Sequence, residues 1–167
     1  MAYLDSSGLY VKTGLEQTVP LTGGDYRTYG ELREIELNLD LTKAPLLSAG
    51  PIIVNDQIFF EKNMVVQEVE IYTTTAATGS TATLDIGLIA VDRATEIDFN
   101  GFIAALAQSS TNLSTAGNKT VYTKGSTGAG ALIGGSAVGT SGYICMNYNT
   151  AAFTAGNIKV RIRYFRP

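Results

Sequence analysis

Residues 32–41 read LREIELNLDL. Ile35, Leu37, Leu39 and Leu41 take the odd positions, with Glu34, Glu36, Asn38 and Asp40 between them. A period of two sends successive side chains to opposite faces, so the stretch predicts a half-buried β-strand with an acidic outer face. Wound as a helix, the same apolar residues would spread around the cylinder. The final stretch, NIKVRIRYFRP at 157–167, repeats the pattern with the opposite charge. Here Ile158, Val160, Ile162 and Tyr164 alternate with Lys159, Arg161 and Arg163.

A basic strand is unexpected in this chain. Its 167 residues carry 12 Lys and Arg against 15 Asp and Glu, a net charge of −3, and a pI near 4.9. Nucleic-acid binding rests on a broad positive field and a reader motif, and neither is present in the sequence. An acidic neighbour within the fold is available instead: Glu34, Glu36 and Asp40 on the strand at 32–41, and Glu68 and Glu70 within MVVQEVEIYTTT at 64–75. In that second segment Val65, Val69 and Ile71 are expected on the apolar face. Burying four residues such as Ile158, Val160, Ile162 and Tyr164 is worth about 6–10 kcal/mol as an upper bound. A generic exposed cross-strand ion pair gives about 0.2–1 kcal/mol. The apolar face therefore holds the last strand and the charges select its neighbour and register. The first and last sheet strands are expected to pair, with their charges on the outer face or in a subunit contact. Lys159, Arg161 and Arg163 are accordingly candidate interaction residues.

Between these two strands the alternation recurs. TATLDIGLIAVD at 81–92 and GYICMNYN at 142–149 read as strands, QIFFEKN at 57–63 and KTVYTK at 119–124 as shorter ones. KAPLLSAGP at 43–51 reads as a loop, and AATGS at 76–80 and TAAFTAG at 150–156 as turns. DFNGFIAALAQ at 98–108 predicts the one short helix, capped by Asp98 or Asn100, with Phe102, Ile103, Leu106 and Ala107 on neighbouring turns. GSTGAGALIGGSAVGTSG at 125–142 predicts loops, bulges and close backbone approaches. Residues 1–31 hold no sustained period and read as an extended N-terminal arm, while 32–167 form a single domain. The arm's aromatics, Tyr3, Tyr10, Tyr26 and Tyr29, are too many for a solvated tail and are candidate contact residues. With no strand–helix alternation, the fold class expected is all-β: an antiparallel sandwich of jelly-roll type.

The absence of histidine removes the commonest general base, the commonest metal ligand and every Ser-His or Cys-His arrangement. Cys145 is the only cysteine, so no intrachain disulfide forms, and its neighbours Tyr143, Ile144 and Met146 mark it as a packed residue. The glycine-rich segment lacks the Lys-Ser/Thr of a phosphate loop and its strand-to-helix context. Asp92, Glu96 and Asp98 supply oxygen ligands for Ca²⁺ but without the spacing of an EF-hand loop, which favours a solvated loop and a helix cap. The sequons at Asn112 and Asn118 matter only in a secreted protein, and the first residues do not read as a signal peptide. No stretch approaches a membrane span. No enzyme activity, cofactor, nucleic acid or membrane partner is expected.

MAYLDSSGLYVKTG (1–14), GGDYRTYGELREIELNLDLT (23–42), LDIGLIAVDRATEIDFNGFIAAL (84–106) and GNIKVRIRYFRP (156–167) together resemble the head decoration, or cement, proteins of tailed bacteriophages. The likeness is one of general pattern over nearly the whole chain. It implies a β-sandwich, often trimeric, that binds the outside of a shell of major capsid protein and reinforces it. It also implies synthesis in the host cytoplasm and a final place on the virion surface. No catalytic motif comes with it. Two other classes stay open: a carbohydrate- or receptor-binding sandwich of a phage tail or fibre, which would expose Tyr or Phe on a loop-lined patch, and a carboxylate-dependent enzyme, which would need two close acidic residues in a cleft.

Overall fold

A computed structural model describes residues 3–4, 10–11 and 32–166. Near the N-terminus, β1 (Tyr3–Leu4) pairs antiparallel with β2 (Tyr10–Val11). The main body contains β3 (Arg33–Asp40), β4 (Ile52–Ile53), β5 (Phe59–Phe60), β6 (Val65–Thr78), β7 (Thr83–Ala90) and β8 (Glu96–Ala107). The one-turn helix α1 (Thr111–Ser114) follows, then β9 (Lys119–Tyr122), β10 (Gly142–Asn149) and β11 (Ala155–Phe165). All strand pairing is antiparallel apart from isolated bridges.

The strands form two sheets. Sheet I runs β3-β11-β6-β9; sheet II runs β4-β10-β7-β8, with β5 also on β10. Because β4 and β5 lie on the same edge of β10, they act as one interrupted strand. Counted that way, the main body has sheet orders first-eighth-third-sixth and second-seventh-fourth-fifth. That is the double Greek key of a jelly roll, as the strand spacing predicts. The first and last strands of the body are neighbours, also as expected: Ile35 faces Ile162, Leu37 faces Val160 and Leu39 faces Ile158. These six are buried and enter one core with Val69 and Ile71 of β6, Leu84, Ile86 and Leu88 of β7, and Ile144 and Met146 of β10.

Two expectations are corrected. The segment 98–108 is not a helix; 98–107 belong to β8, a strand with register shifts against β7. Each shift admits residues that have no opposite number, so its apolar side chains lose the period of two and mimic helical spacing. Phe102 and Ile103 are adjacent yet both fully buried in the one core, where the register of β8 against β7 shifts. Asp98 and Asn100 therefore cap no helix: Asp98 Oδ1 accepts from Asn100 N at 3.3 Å within the strand. The helical turn lies instead in the Ser/Thr/Asn-rich loop, where Ser110 caps α1 by accepting from Asn112 N. In β6 the buried residue of the first pair is Val66, fully buried, and not Val65. Arg163 pairs with Glu68 but Tyr164 with Val66, so Gln67 is an extra residue whose bulge resets the parity of the strand.

The glycine-rich segment is a seam. Gly130 N donates to Phe102 O (3.0 Å) and Leu132 N to Gly101 O (2.9 Å), after which Gly134 N donates to Val66 O (2.8 Å). It thus runs from the open edge of sheet II to the start of β6, and it plugs the gap with Ile133 and Val138. Small residues are required for that closeness. A Cβ on Gly130 would stand 2.1 Å from the carbonyl carbon of Gly101, and one on Gly87 would stand 2.0 Å from Asp98 O, where β8 folds over β7.

Candidate interaction surfaces

The outer face of sheet I is an ionic ladder built by register. β11 runs between β3 and β6, so each of its cations has an acidic residue on both sides: Arg161 lies between Glu36 and Glu70, Arg163 between Glu34 and Glu68. Arg161 Nε donates to Glu36 Oε2 at 2.8 Å and its Nη1 to Glu70 Oε1 at 3.3 Å. Arg163 Nε donates to Glu34 Oε2 at 2.9 Å, and Nη1 bonds Glu68. Lys159 Nζ stands 2.8 Å from Glu36 Oε1, and Lys119 of β9 stands 2.8 Å from Glu70 Oε2. Four carboxylates and four cations balance.

Glu70 sits under this network with its side chain 4% exposed, roofed by the stems of its cationic neighbours. Hydrogen bonds from Lys159 and then Arg161 hold the Glu36 carboxyl below the usual range. The Arg161 guanidinium is held above its ordinary value chiefly by its bond to Glu36, and that of Arg163 by its bonds to Glu34 and Glu68. All three cations singled out in the sequence are therefore engaged inside the fold. Lys119 completes the ladder and carried no signal in the sequence beyond its place at the head of a short strand.

On sheet II several outward positions are buried: Asp85, Ile89, Cys145 and Asn147. Asp85 is buried and accepts from Ala105 N at 2.6 Å, from Asn147 Nδ2 at 3.2 Å and from Asn149. It pins the irregular part of β8, where Ala105 has a φ of 49°. Cys145 is fully buried beside it in the sheet, and burial pushes its thiol up to about 12. This is the packed residue that its neighbours indicate.

At one corner of sheet II lies a cluster that sequence reasoning missed. The Phe59 and Tyr143 rings meet edge to face at 5.6 Å, and the Arg93 guanidinium stands 5.4 Å from the centre of the Tyr143 ring. A depression of about 420 Å³ opens nearby between Pro51–Asp56 and Ile89 and Arg93. A second, of about 280 Å³, lies between the two sheets, with Asn38, Leu39 and Asp40 on one wall and Ile52, Ile53 and Val54 on the other. Residues far apart in the chain make these features, so no local motif announces them.

The remaining candidates are occupied locally. The Asp92 carboxylate accepts from the backbone of Ala94 and Thr95 and from the Thr95 hydroxyl, bonds that hold it below the usual range. Burial raises the Asp98 carboxyl. Among the described residues no group of three or more acidic or Cys side chains is placed to hold a metal ion. The two sequon asparagines bond each other: Asn118 Nδ2 donates to Asn112 Oδ1, and Asn112 Nδ2 to the hydroxyl of the buried Tyr122. Of the N-terminal tyrosines, Tyr3 and Tyr10 lie in the β1–β2 pair, while Tyr26 and Tyr29 lie outside the described residues.

No protein-family model matches the chain, and comparison with curated proteins gives no match. Solved structures are similar to it. A chain in the capsid of Ralstonia phage GP4 has a TM-score of 0.53 at 19% identity, with 90% of this chain and 92% of that chain covered. A chain in the acidic stable capsid structure of Helicobacter pylori bacteriophage KHP30 has a TM-score of 0.52 at 12% identity, covering 84% and 91%. A chain in the Cyanophage Pam1 capsid asymmetric unit has a TM-score of 0.46 at 18% identity, covering 90% and 95%. The likeness to the first two is one of fold over nearly the full length of both chains.

Proposed function

We propose that this protein is a structural component of a phage virion that binds the outside of the capsid as a decoration protein and reinforces it. The observation that carries the reading is the fold likeness to chains in the GP4 and KHP30 capsids, over 90% and 84% of this chain. The surface supports it. One sheet face is a self-neutralised ionic ladder, and on the other the buried Asp85 carboxylate accepts from Ala105 N and from the Asn147 and Asn149 amides. Among the described residues eight large apolar side chains are exposed, Leu32, Leu46, Leu47, Ile52 and Phe59 among them, and these suit adhesion.

In this reading the partner is the major capsid protein and the working unit is a trimer. The segment bearing Tyr3, Tyr10, Tyr26 and Tyr29 supplies contacts beyond the sandwich. Weak contacts repeated over a lattice give avidity that one contact cannot, and so resist outward pressure from packaged DNA. The test is to add purified protein to phage shells that lack it. Sedimentation with the shells and a raised shell melting temperature are expected; protein left in the supernatant overturns the reading, and light scattering counts the subunits.

A second reading, a glycan- or receptor-binding sandwich of a tail or fibre, draws on the exposed Phe59 beside Tyr143. Binding to a glycan array that is lost on Phe59→Ala would favour it over the first.

A further inference from the structure

The two long sides of the sandwich differ. One is sealed, because the glycine-rich seam covers the edge of β8 and continues to β6. On the other, β3 offers eight residues of strand that pair only with β11 among the described residues. The adjoining edge of sheet II is made of pieces: β5 and β4 on β10, then Leu46 bridged to Tyr148. Leu32, Leu46, Leu47, Ile52 and Phe59 come from these two edges, and they are five of the eight large apolar side chains exposed among the described residues. The 280 Å³ depression runs between the same edges. A long unpaired edge beside apolar surface is a template for another strand.

We propose that this side receives a second copy of the chain, whose N-terminal segment, residues 12–31, adds as a strand along β3. Leu15, Val19 and Leu21 of that segment would fill the groove between Leu39 and Ile52–Val54. The segment joins the body at Leu32, at the head of β3, where the side chain is 61% exposed. Twenty residues reach up to about 70 Å, more than twice the length of an eight-residue strand, so a neighbour's edge is within range. The segment is nearly neutral, with Lys12 and Arg27 against Glu16, Asp25 and Glu31. Direct pairing of one β3 with another would instead bring Glu34 and Glu36 against their like. The proposal concerns contact between copies and does not rest on shell binding.

The experiment uses full-length protein, light and heavy isotope forms mixed in urea and refolded together, then treated with an amine-reactive crosslinker. Lys12 lies in the segment and Lys43 in the wall of the groove. Crosslinks joining Lys12 of one isotope form to Lys43 of the other are expected, together as abundant as uniform ones, and Ile52→Asp is expected to abolish them and to lower the mass seen by light scattering. Ile52 is already 42% exposed, so the fold tolerates the change. In the unmodified protein, hydrogen exchange across residues 33–40 is expected to slow as concentration rises. Uniform-isotope pairs alone would mean that the segment covers its own edge, and they overturn the proposal. So does the lack of any Lys12–Lys43 product, or exchange that ignores concentration. Loss of shell binding with mixed crosslinks intact rejects the decoration role and leaves this inference standing.

Discussion

At the scale of single residues, close approach decides most. Gly87 and Gly130 lie where backbone crosses backbone, and a methyl group at either would meet a main-chain atom that cannot turn aside. Each changed to Ala should lower unfolding stability by about 1–3 kcal/mol or more, read from urea midpoints. Gly139, with nothing near its missing Cβ, should change by less than about 0.5 kcal/mol on the same substitution. Cys145 offers a second residue-level test. With its thiol buried and its pKa pushed up to about 12, it should stay unreacted with a thiol reagent at pH 8 and react fully once the chain is unfolded in urea. The sequence disclosed the cysteine's role through its apolar neighbours. The glycines were legible as a class, but which ones touch backbone depends on residues such as Asp98 and Gly101 brought in from elsewhere.

At the scale of elements, alternation against the core was readable wherever a strand keeps its register. β3 and β11 alternate buried and more exposed residues, and in β7 and β10 every second residue, Leu84, Ile86 and Leu88 or Ile144 and Met146, enters the core. The strands with bulges, β6 and β8, were misread at Val65 and over 98–108 because an extra residue reverses the parity of all that follows. The ladder on β11 gives the test at this scale. Reversing Arg161 and Arg163 to Glu would set like charges against Glu34, Glu36, Glu68 and Glu70, so the melting temperature should fall, and high salt should shrink the deficit. The ladder also has a pH signature. Glu36 titrates lower in the fold than in the unfolded chain, so its contribution is present above pH about 4.5 and is lost as the pH falls through its folded value. A melting series from pH 7 to pH 3 should show this loss, and Glu36→Gln should flatten that part of the curve.

For the whole molecule, the controlling feature is that, among the described residues, the sandwich closes on one side only. Ile133, fully inside the seam, should cost about 2–5 kcal/mol when changed to Ala, a core penalty from a residue in what reads as a loop. An unfolding curve that moves by less than 1 kcal/mol would show that the seam does not hold the sheets together. The opposite side, with β3 and the fragments β4 and β5 at its rims, is where backbone and apolar surface stay unmatched among the described residues. Both the proposed attachment to a shell and the proposed exchange of segments between copies draw on that inequality.

The sequence by itself determined the all-β class, the inward faces of the regular strands and the pairing of the acidic first strand with the basic last one. Each of these follows from a period of two and from opposite charge, which are local properties of a strand. The three-dimensional structure alone decided the rest: the bulges that make a strand of 98–107, the interruption between β4 and β5, the aromatic corner of Phe59, Tyr143 and Arg93, and the open groove beside β3. These arise where segments distant in sequence come into contact, and a contact between distant segments leaves no period in either of them.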